Sequence, residues 1–593
     1  MPNFGHCVYY TSMLDPYRMV AINLFLSSVI FIGVLFFRFV FPKKPVSPFR
    51  LLLLLLMLPT ISIFRKGVYE SGDFMIHIYR SIEFYRSLSE GNLIPSWAGG
   101  LNATYGYPLF IFNYPLPYYL ISFFHFLGFS FVSSTKLFLA SNFILSGIFM
   151  FYFLKTYLKN ELAAFAGSVF YAFLPYHLVA LHFKNTIGEV LSFTVLPLIF
   201  WSTSRLINDR SISLTILTGF LFALLIASHV VIALFAGILH TVFILFSLRE
   251  PTIHKLIRLS FMYLIAAGAS AYIWFTPFIL GKYTLQQITT IFPAHFPTLS
   301  ELLYAPWRFG LLFQGPYGEI SHLVGYMHLF ILFAAFVILL QEKLKLKQQF
   351  HLLLFWTVTS VFFLFLITPY SQILWQLTPF IIYTGSHRLL ILSGFCIAVV
   401  AAILANVYPK RKVLILLVVS VTILSTILNW GHRRMVQGIT DSEIMQNIWK
   451  STSEGEAHFY ANTRWVDPKN PWFNKLPDNH AQITSGTGTI RQQSRNSTEH
   501  VYEVTAQTPL IVREHTLFFP GWHAMINGRE LNIAPDNKGR IQFSLPKGSY
   551  TLSVFYTDIS GYKLLKTISV ITIIVVVVYL TAHMFQTKKR LPS

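Results

Sequence analysis

Charge is scarce in this chain, and acidic charge most of all. Only 12% of its 593 residues are charged, and 24 are Asp or Glu against 45 Lys or Arg. A soluble domain carries about 25% charged residues, so a soluble globular protein of this length is excluded. Cysteine is nearly absent: Cys7 precedes the first apolar run and Cys396 lies inside a later one. Two such cysteines support neither a disulfide framework nor a thiolate metal site. Also missing are a Gly-rich phosphate loop opening a helix, a Gly-x-Ser-x-Gly elbow and a His-Glu-x-x-His zinc pattern.

Hydrocarbon fills the space that charge leaves. The chain is 54% hydrophobic and 17% aromatic, with 58 Phe and 30 Tyr, and its mean hydropathy is +0.56. Separate apolar runs of roughly 20 residues each define a polytopic α-helical membrane protein. The formal charge of +21 does not mark a nucleic-acid partner, because the Lys and Arg sit in short clusters between the apolar runs, which is a topology signal.

Those clusters are Lys43-Lys44 with Arg50; Lys155 with Lys159; Arg205 with Arg210; Arg249, Lys255 and Arg258; Lys343, Lys345 and Lys347; Lys410-Arg411-Lys412; and Lys588-Lys589-Arg590. Placing all seven in the cytoplasm requires an even number of crossings between successive clusters. About thirteen helices satisfy this, near 20–41, 51–65, 131–155, 161–181, 189–204, 211–229, 230–248, 257–280, 322–341, 350–369, 388–407, 412–430 and 563–583. The first run is too long for a signal h-region and lacks a small-residue cleavage site, so it is expected to remain as a helix.

One apolar stretch must then not cross. "YPLFIFNYPLPYYLISFFHFLGF" (107–129) carries Pro108, Pro115 and Pro117 with Asn113 and His125, which suits helices lying at the interface. Residues 66–130 become one long external loop, and 281–321 a second. Residues 1–430 thus form the multi-helix membrane domain. In 431–562 the composition turns polar, with period-two runs at 500–507, 539–545 and 550–556 and turn residues at Asn527-Gly528, Asp536-Asn537 and Pro546-Lys547-Gly548. That pattern predicts a small external all-β domain. Residues 563–593 supply the final helix and a basic cytoplasmic tail.

Charged residues at the predicted external edges of the spans each need a reason. "VYESGDFMIHIYR" (68–80) holds Glu70, Asp73, His77 and Arg80 just after a span. Asp73 can cap the helix that follows, as can Ser71, or it can serve as a base or metal ligand. His77 lies four residues on, on the same helical face. Lys184 and Glu189 in "HFKNTIGEV" sit at a membrane edge, where ionisable groups are costly unless paired or used; snorkelling explains the lysine better than the glutamate. His229 falls at an external turn, where a packing role is the plainer reading. Arg388, preceded by His387, opens a span against the positive-inside trend and calls for an anionic partner, either a phosphate or a carboxylate such as Glu70 or Glu189. Arg308, His295, His322 and Glu319 line the second external loop. The predicted cytoplasmic loops are too short to hold a nucleotide-binding domain, so any chemistry is expected outside, fed from the membrane.

The carboxylate after an early span, followed by "EGNLIPSW" (90–97), "YGYPLFIFNYPLPYYL" (105–120) and a surface helix, resembles the GT-C fold of integral-membrane glycosyltransferases. More narrowly, residues 72–108 are similar to bacterial membrane proteins named as pyruvoyl-tetrahydropterin synthase-related and to YfhO-type proteins. "FYAFLPYHL" (170–178), "NTIGEV" (185–190) and "LFFPGWHAMINGREL" (517–531) fit the same group. The resemblance implies a glycosyltransferase of the bacterial cell (inner) membrane. Its donor would be a polyprenyl-phosphate sugar, its acceptor an envelope lipid, glycan or protein, and membrane lipids would surround it. It implies Asp73 as the base, with Glu70 and His77 beside it, and Lys184, Glu189, His229, Arg388, His387 and Arg308 as substrate-binding residues. Trp465, Trp472 and Trp522 are candidate sugar-stacking platforms. Glu70 and Asp73 are not in the Asp-x-Asp spacing some GT-C enzymes use with a metal, so no metal or other cofactor is fixed, although a divalent metal is allowed. A non-catalytic envelope assembly protein with the same fold, or a lipid or glycan transporter, is the alternative.

Overall fold

The computed structural model describes residues 15–590 apart from 45, 209–210, 248–252, 286–294, 342–347, 378–384, 432–434, 437, 452–460 and 468–474. Among the described residues, eight helices are long and apolar enough to cross a membrane. Two further bent helix pairs bring the number to ten if each is one span, and three shorter apolar helices fall at other predicted runs. These match the thirteen predicted runs, and the chain is a multi-pass membrane protein. Local chemistry sets their ends. The Ser130 hydroxyl accepts from the Ser133 N–H to start Phe131–Leu158, and Lys159 at φ 55° ends that helix. The Asn160 side chain then accepts from the N–H groups of Leu162 and Ala163 to open Glu161–Ala172.

Two predicted spans are broken rather than straight. Glu161–Ala172 and Pro175–Lys184 meet at 49°, and Leu256–Ala269 and Ala271–Tyr283 at 67°. In the first pair Pro175 holds Leu174 in an extended conformation, φ −60° and ψ 130°, as a residue before proline prefers. The second half ends in a π-helical turn, Ala180–Lys184, followed by Asn185 in the left-handed region. At the centre of the bundle, every residue of Leu390–Val407 from Leu390 to Ala405 is buried.

The stretch 107–129 does not cross. It folds into Leu109–Phe112 and Leu116–Phe126, and the longer of these spans only about 16 Å at 1.5 Å per residue. Tyr118, Ile121 and Ser122 are buried on one side, while Phe123 and Phe126 are exposed.

The loops predicted to lie outside meet on one face of the bundle. Strand β1 (Val68–Tyr69) pairs with β2 (Met435–Val436). The Asn102 N–H donates to the Ser451 carbonyl and the Leu285 N–H to that of Asn462. Beyond them two antiparallel sheets form. One has the order β3 (Ala481–Ser485), β6 (Leu510–Leu517), β10 (Arg540–Leu545) and β9 (Ile533–Pro535). The other runs β4 (Gly488–Arg495), β5 (Glu499–Ala506), β11 (Gly548–Tyr556), β7 (Trp522–Ile526) and β8 (Arg529–Leu531). Alternate residues of β5, from His500 to Ala506, are buried, as the period-two pattern requires. Asn527 and Gly528, at φ 48° and 77°, close the β7–β8 hairpin, the geometry of a type I′ turn. The strands of the two sheets occupy a narrower range than the predicted 431–562. Before them in the chain, the Trp449 carbonyl accepts from the Ala103 N–H and Asp441 from the Phe131 N–H.

Candidate functional site

The backbone brings Asp73 to its place. Gly72 and Asp73 donate their N–H groups to the carbonyls of Phe183 and Lys184, both at 2.8 Å. The Tyr69 hydroxyl donates to Asn185 Oδ1 at 2.5 Å. The first loop is thereby laid along the π-helical turn that ends in Lys184. Asp73 occupies the N-cap position of helix Phe74–Ser89, yet its side chain makes no capping bond. The Ser71 hydroxyl accepts from the Phe74 N–H instead, at 3.2 Å. Capping therefore does not account for the Asp73 carboxylate.

Near it Glu189 gathers three donors from two segments, Pro175–Lys184 and the head of the central helix. Its Oε1 lies 3.2 Å from Arg388 Nε and 3.3 Å from Lys184 Nζ, and its Oε2 accepts from the Tyr176 hydroxyl at 2.7 Å. Lys184 Nζ also donates to the Tyr176 oxygen at 3.1 Å and approaches His387 Nε2 at 3.4 Å. The Glu189 side chain is 2% exposed, whereas those of Lys184 and Arg388 are 17% and 27% exposed. A buried carboxylate thus anchors two cations that reach the surface above it. Gly188 makes the packing possible: a Cβ there would lie 2.8 Å from the Tyr114 ring. Tyr114 stacks on His229 with ring centroids 5.8 Å apart.

The charges of Lys184, Arg80, Glu189 and Arg388 all act on Asp73. Burial pushes its pKa above the usual carboxylate value, the three cations oppose the shift, and Glu189 adds to it. A carboxylate raised in this way holds a proton more readily than an exposed one and is the stronger base.

The remaining predicted residues divide. His229 lies within electrostatic reach of Arg388, Glu189 and Lys184, and His387 touches Lys184. His77 is buried one turn below Asp73, with Nδ1 3.1 Å from the Tyr118 hydroxyl. Burial, and then the charge of Arg80, hold it well below the usual histidine pKa. Glu70 is exposed, and Arg308 is exposed in the second loop at φ 44°. Trp522 is buried, edge-on to Trp97 at 5.3 Å; Trp465 is half-buried and stacks on Tyr283; Trp472 lies outside the described residues. Sequence reasoning missed Tyr176 and Tyr114 as site members. Tyr176 falls within "FYAFLPYHL", and Tyr114 precedes the proline that opens the surface helix.

Comparison with known proteins covers parts of the chain. The 6-pyruvoyl-tetrahydropterin synthase related domain family, described as a membrane protein, matches residues 111–433. An uncharacterized protein of Lactococcus lactis subsp. cremoris (strain MG1363) is 26% identical over 246 residues, covering 40% of this chain. The match likewise spans 40% of that relative's length. Among solved structures, the Archaeoglobus fulgidus oligosaccharyltransferase, tethered with an acceptor peptide containing the NVT sequon via a disulfide bond, aligns with a TM-score of 0.38 and 13% identity. That alignment covers 79% of this chain and 61% of the other, and a likeness so distant carries no argument about the site.

Proposed function

The chain belongs to the 6-pyruvoyl-tetrahydropterin synthase related family of membrane proteins, and we propose that it is a GT-C-type glycosyltransferase of the bacterial cell membrane. In this reading the donor is a polyprenyl-phosphate sugar and the acceptor an envelope lipid, glycan or protein, on the external face. The observation that carries the proposal is the pair of cations, Lys184 and Arg388, anchored on buried Glu189, with the main chain of Lys184 bonded to that of Asp73, whose carboxylate does not cap its helix.

Each residue then has a chemical task. Asp73 takes the proton from the acceptor hydroxyl as that oxygen bonds to the anomeric carbon. The bond from that carbon to the phosphate oxygen breaks, and the electron pair leaves with the lipid phosphate. A phosphate leaving group is a weak base and needs no proton; it needs positive charge, which Lys184 and Arg388 supply. Glu189 and Tyr176 hold Lys184 in position, and His387 and His229 flank the cations. The exposed Phe123 and Phe126 of the surface helix offer the polyprenyl chain an apolar track.

The test is envelope glycan and glycolipid profiling of a deletion strain rescued with wild type or with Asp73→Ala at equal membrane level. Restoration of a missing sugar by wild type alone supports the proposal and names the product. Equal restoration by both proteins contradicts it.

A further inference from the structure

The second loop carries a constellation that the transfer reading does not use. His295, Glu301 and His322 each offer one ligand atom, and these atoms lie within 4.8 Å of one another. They come from separate pieces of chain: the approach to the short helix Leu299–Leu303, the helix itself, and the run into helix Tyr326–Gln341.

Each piece is fixed by hydrogen bonds of its own main chain or side chains. Glu301 closes a capping box, its Oε2 accepting from the Thr298 N–H at 2.7 Å and the Thr298 hydroxyl at 2.9 Å. That leaves Oε1 facing His295 Nε2 at 3.9 Å. The His295 carbonyl accepts from the Ser386 hydroxyl at 3.3 Å, which ties it to the head of the central helix. His322 is held between Ser321, whose N–H donates to the Phe313 carbonyl, and Val324, whose N–H donates to that of Leu302. A surface ion pair at 3.9 Å would contribute little and would leave His322 at the third corner unexplained.

We propose that His295, Glu301 and His322 bind one divalent transition cation of the zinc type. Two imidazoles with one carboxylate suit zinc and its neighbours, whereas magnesium and calcium favour all-oxygen sites. Tetrahedral zinc places its ligand atoms about 3.4 Å apart, so closure needs only small side-chain rotations. The second oxygen of Glu301 is already held by Thr298, the kind of outer-shell bond that orients metal-ligating carboxylates. The His322 ring lies 4.8 Å from that of His387, which touches Lys184, so a cation here sits two rings from the Glu189 cluster. The proposal rests on the loop geometry and holds whether or not that cluster transfers sugar.

The experiment uses the full-length protein in detergent, purified without a histidine tag, stripped with a chelator and then reloaded with zinc(II) before desalting. Zinc content after desalting and the visible absorption of added cobalt(II) are then measured. Wild type is expected to retain about one equivalent per chain and to give the absorption of a low-coordinate cobalt site, with no displacement by magnesium. His295→Asn and His322→Asn should each weaken zinc binding at least tenfold, and Thr298→Ala by less than about tenfold, because it removes the hydroxyl bond to the Glu301 carboxylate and keeps the backbone one. His295 is exposed, so its variant tests the site without disturbing a core; its unaltered melting temperature without metal is the control. Wild type that retains no zinc overturns the proposal. So does binding of equal affinity in both histidine variants, which would mark adventitious surface histidines only.

Discussion

Asp73 and Glu514 are both carboxylates set among cations, and their surroundings pull them in opposite directions. Glu514 lies in β6, fully buried, and its Oε1 collects Arg495 Nη1 at 2.8 Å, the Tyr502 hydroxyl at 2.9 Å and His500 Nδ1 at 3.0 Å. Burial alone would raise its pKa, but His500 and Arg495 hold it well below the usual carboxylate range. Arg495 also donates to the Thr104 carbonyl at 3.2 Å, so the network joins the first loop to the sheets. Asp73 has cations nearby, yet burial prevails and its pKa is raised. The first arrangement consumes its charge in holding the structure together. The second keeps a carboxylate at a cost in stability, as functional sites commonly do.

The sharpest way to separate the two is the same substitution at both. Asp73→Asn is expected to lower sugar transfer by about 10²–10⁴-fold, the range for a general base, with a melting temperature at or above that of wild type. The sign follows from linkage. A raised folded pKa contributes stability below the unfolded value of about 3.9, and that contribution is lost as pH rises through the folded pKa, so ionised Asp73 weakens the fold at neutral pH. Glu514→Gln should do the reverse, destabilising the fold by about 3–5 kcal/mol while transfer per folded molecule is unchanged. A depressed folded pKa gives stability above the unfolded value of about 4.3, lost as pH falls toward the folded one. Burial, and then Arg495, also hold His500 below its usual pKa. Unfolding of the full-length protein should therefore become easier as pH falls below about 6.5, where unfolded His500 takes up a proton, and below about 4.3 less steeply so in Glu514→Gln, which has no carboxylate to protonate.

Lys184→Gln should reduce transfer about 10²-fold per folded molecule, the effect of losing one stabilising charge. Equal transfer would move the comparison toward a purely structural Glu189 cluster. The smallest effect belongs to Ser71→Ala, which should lower stability by about 1 kcal/mol in a melt of the purified protein. No change there would return the capping role to Asp73.

The helices were legible because a span needs a long apolar run with little charge, and the strands because burial alternates with period two. The break at Pro175 was visible as a residue type but was read as one continuous span. Lys184 and Glu189 stood out as charges at a membrane edge. Their partner Tyr176 is one of 30 tyrosines, marked only by its place in "FYAFLPYHL" and not by its charge. The approach of Asp73 to Lys184 is made by main-chain bonds from Gly72 and Asp73, which no side-chain pattern records. Helical spacing placed His77 on the face of Asp73, but the surface helix supplied Tyr118 to its ring. Glu301 escaped notice because its partners in the loop are 6 and 21 residues away in sequence, a separation that no local motif spans.

The central claim is that the carboxylate of Asp73 serves chemistry rather than architecture. The direct test is one paired measurement on Asp73→Asn: rescue of the deletion strain's envelope sugar, and the melting temperature of the purified protein. The account predicts no rescue at equal membrane level and a melting temperature no lower than wild type. Full rescue would contradict it, as would a loss of rescue matched by an equal loss of folded protein.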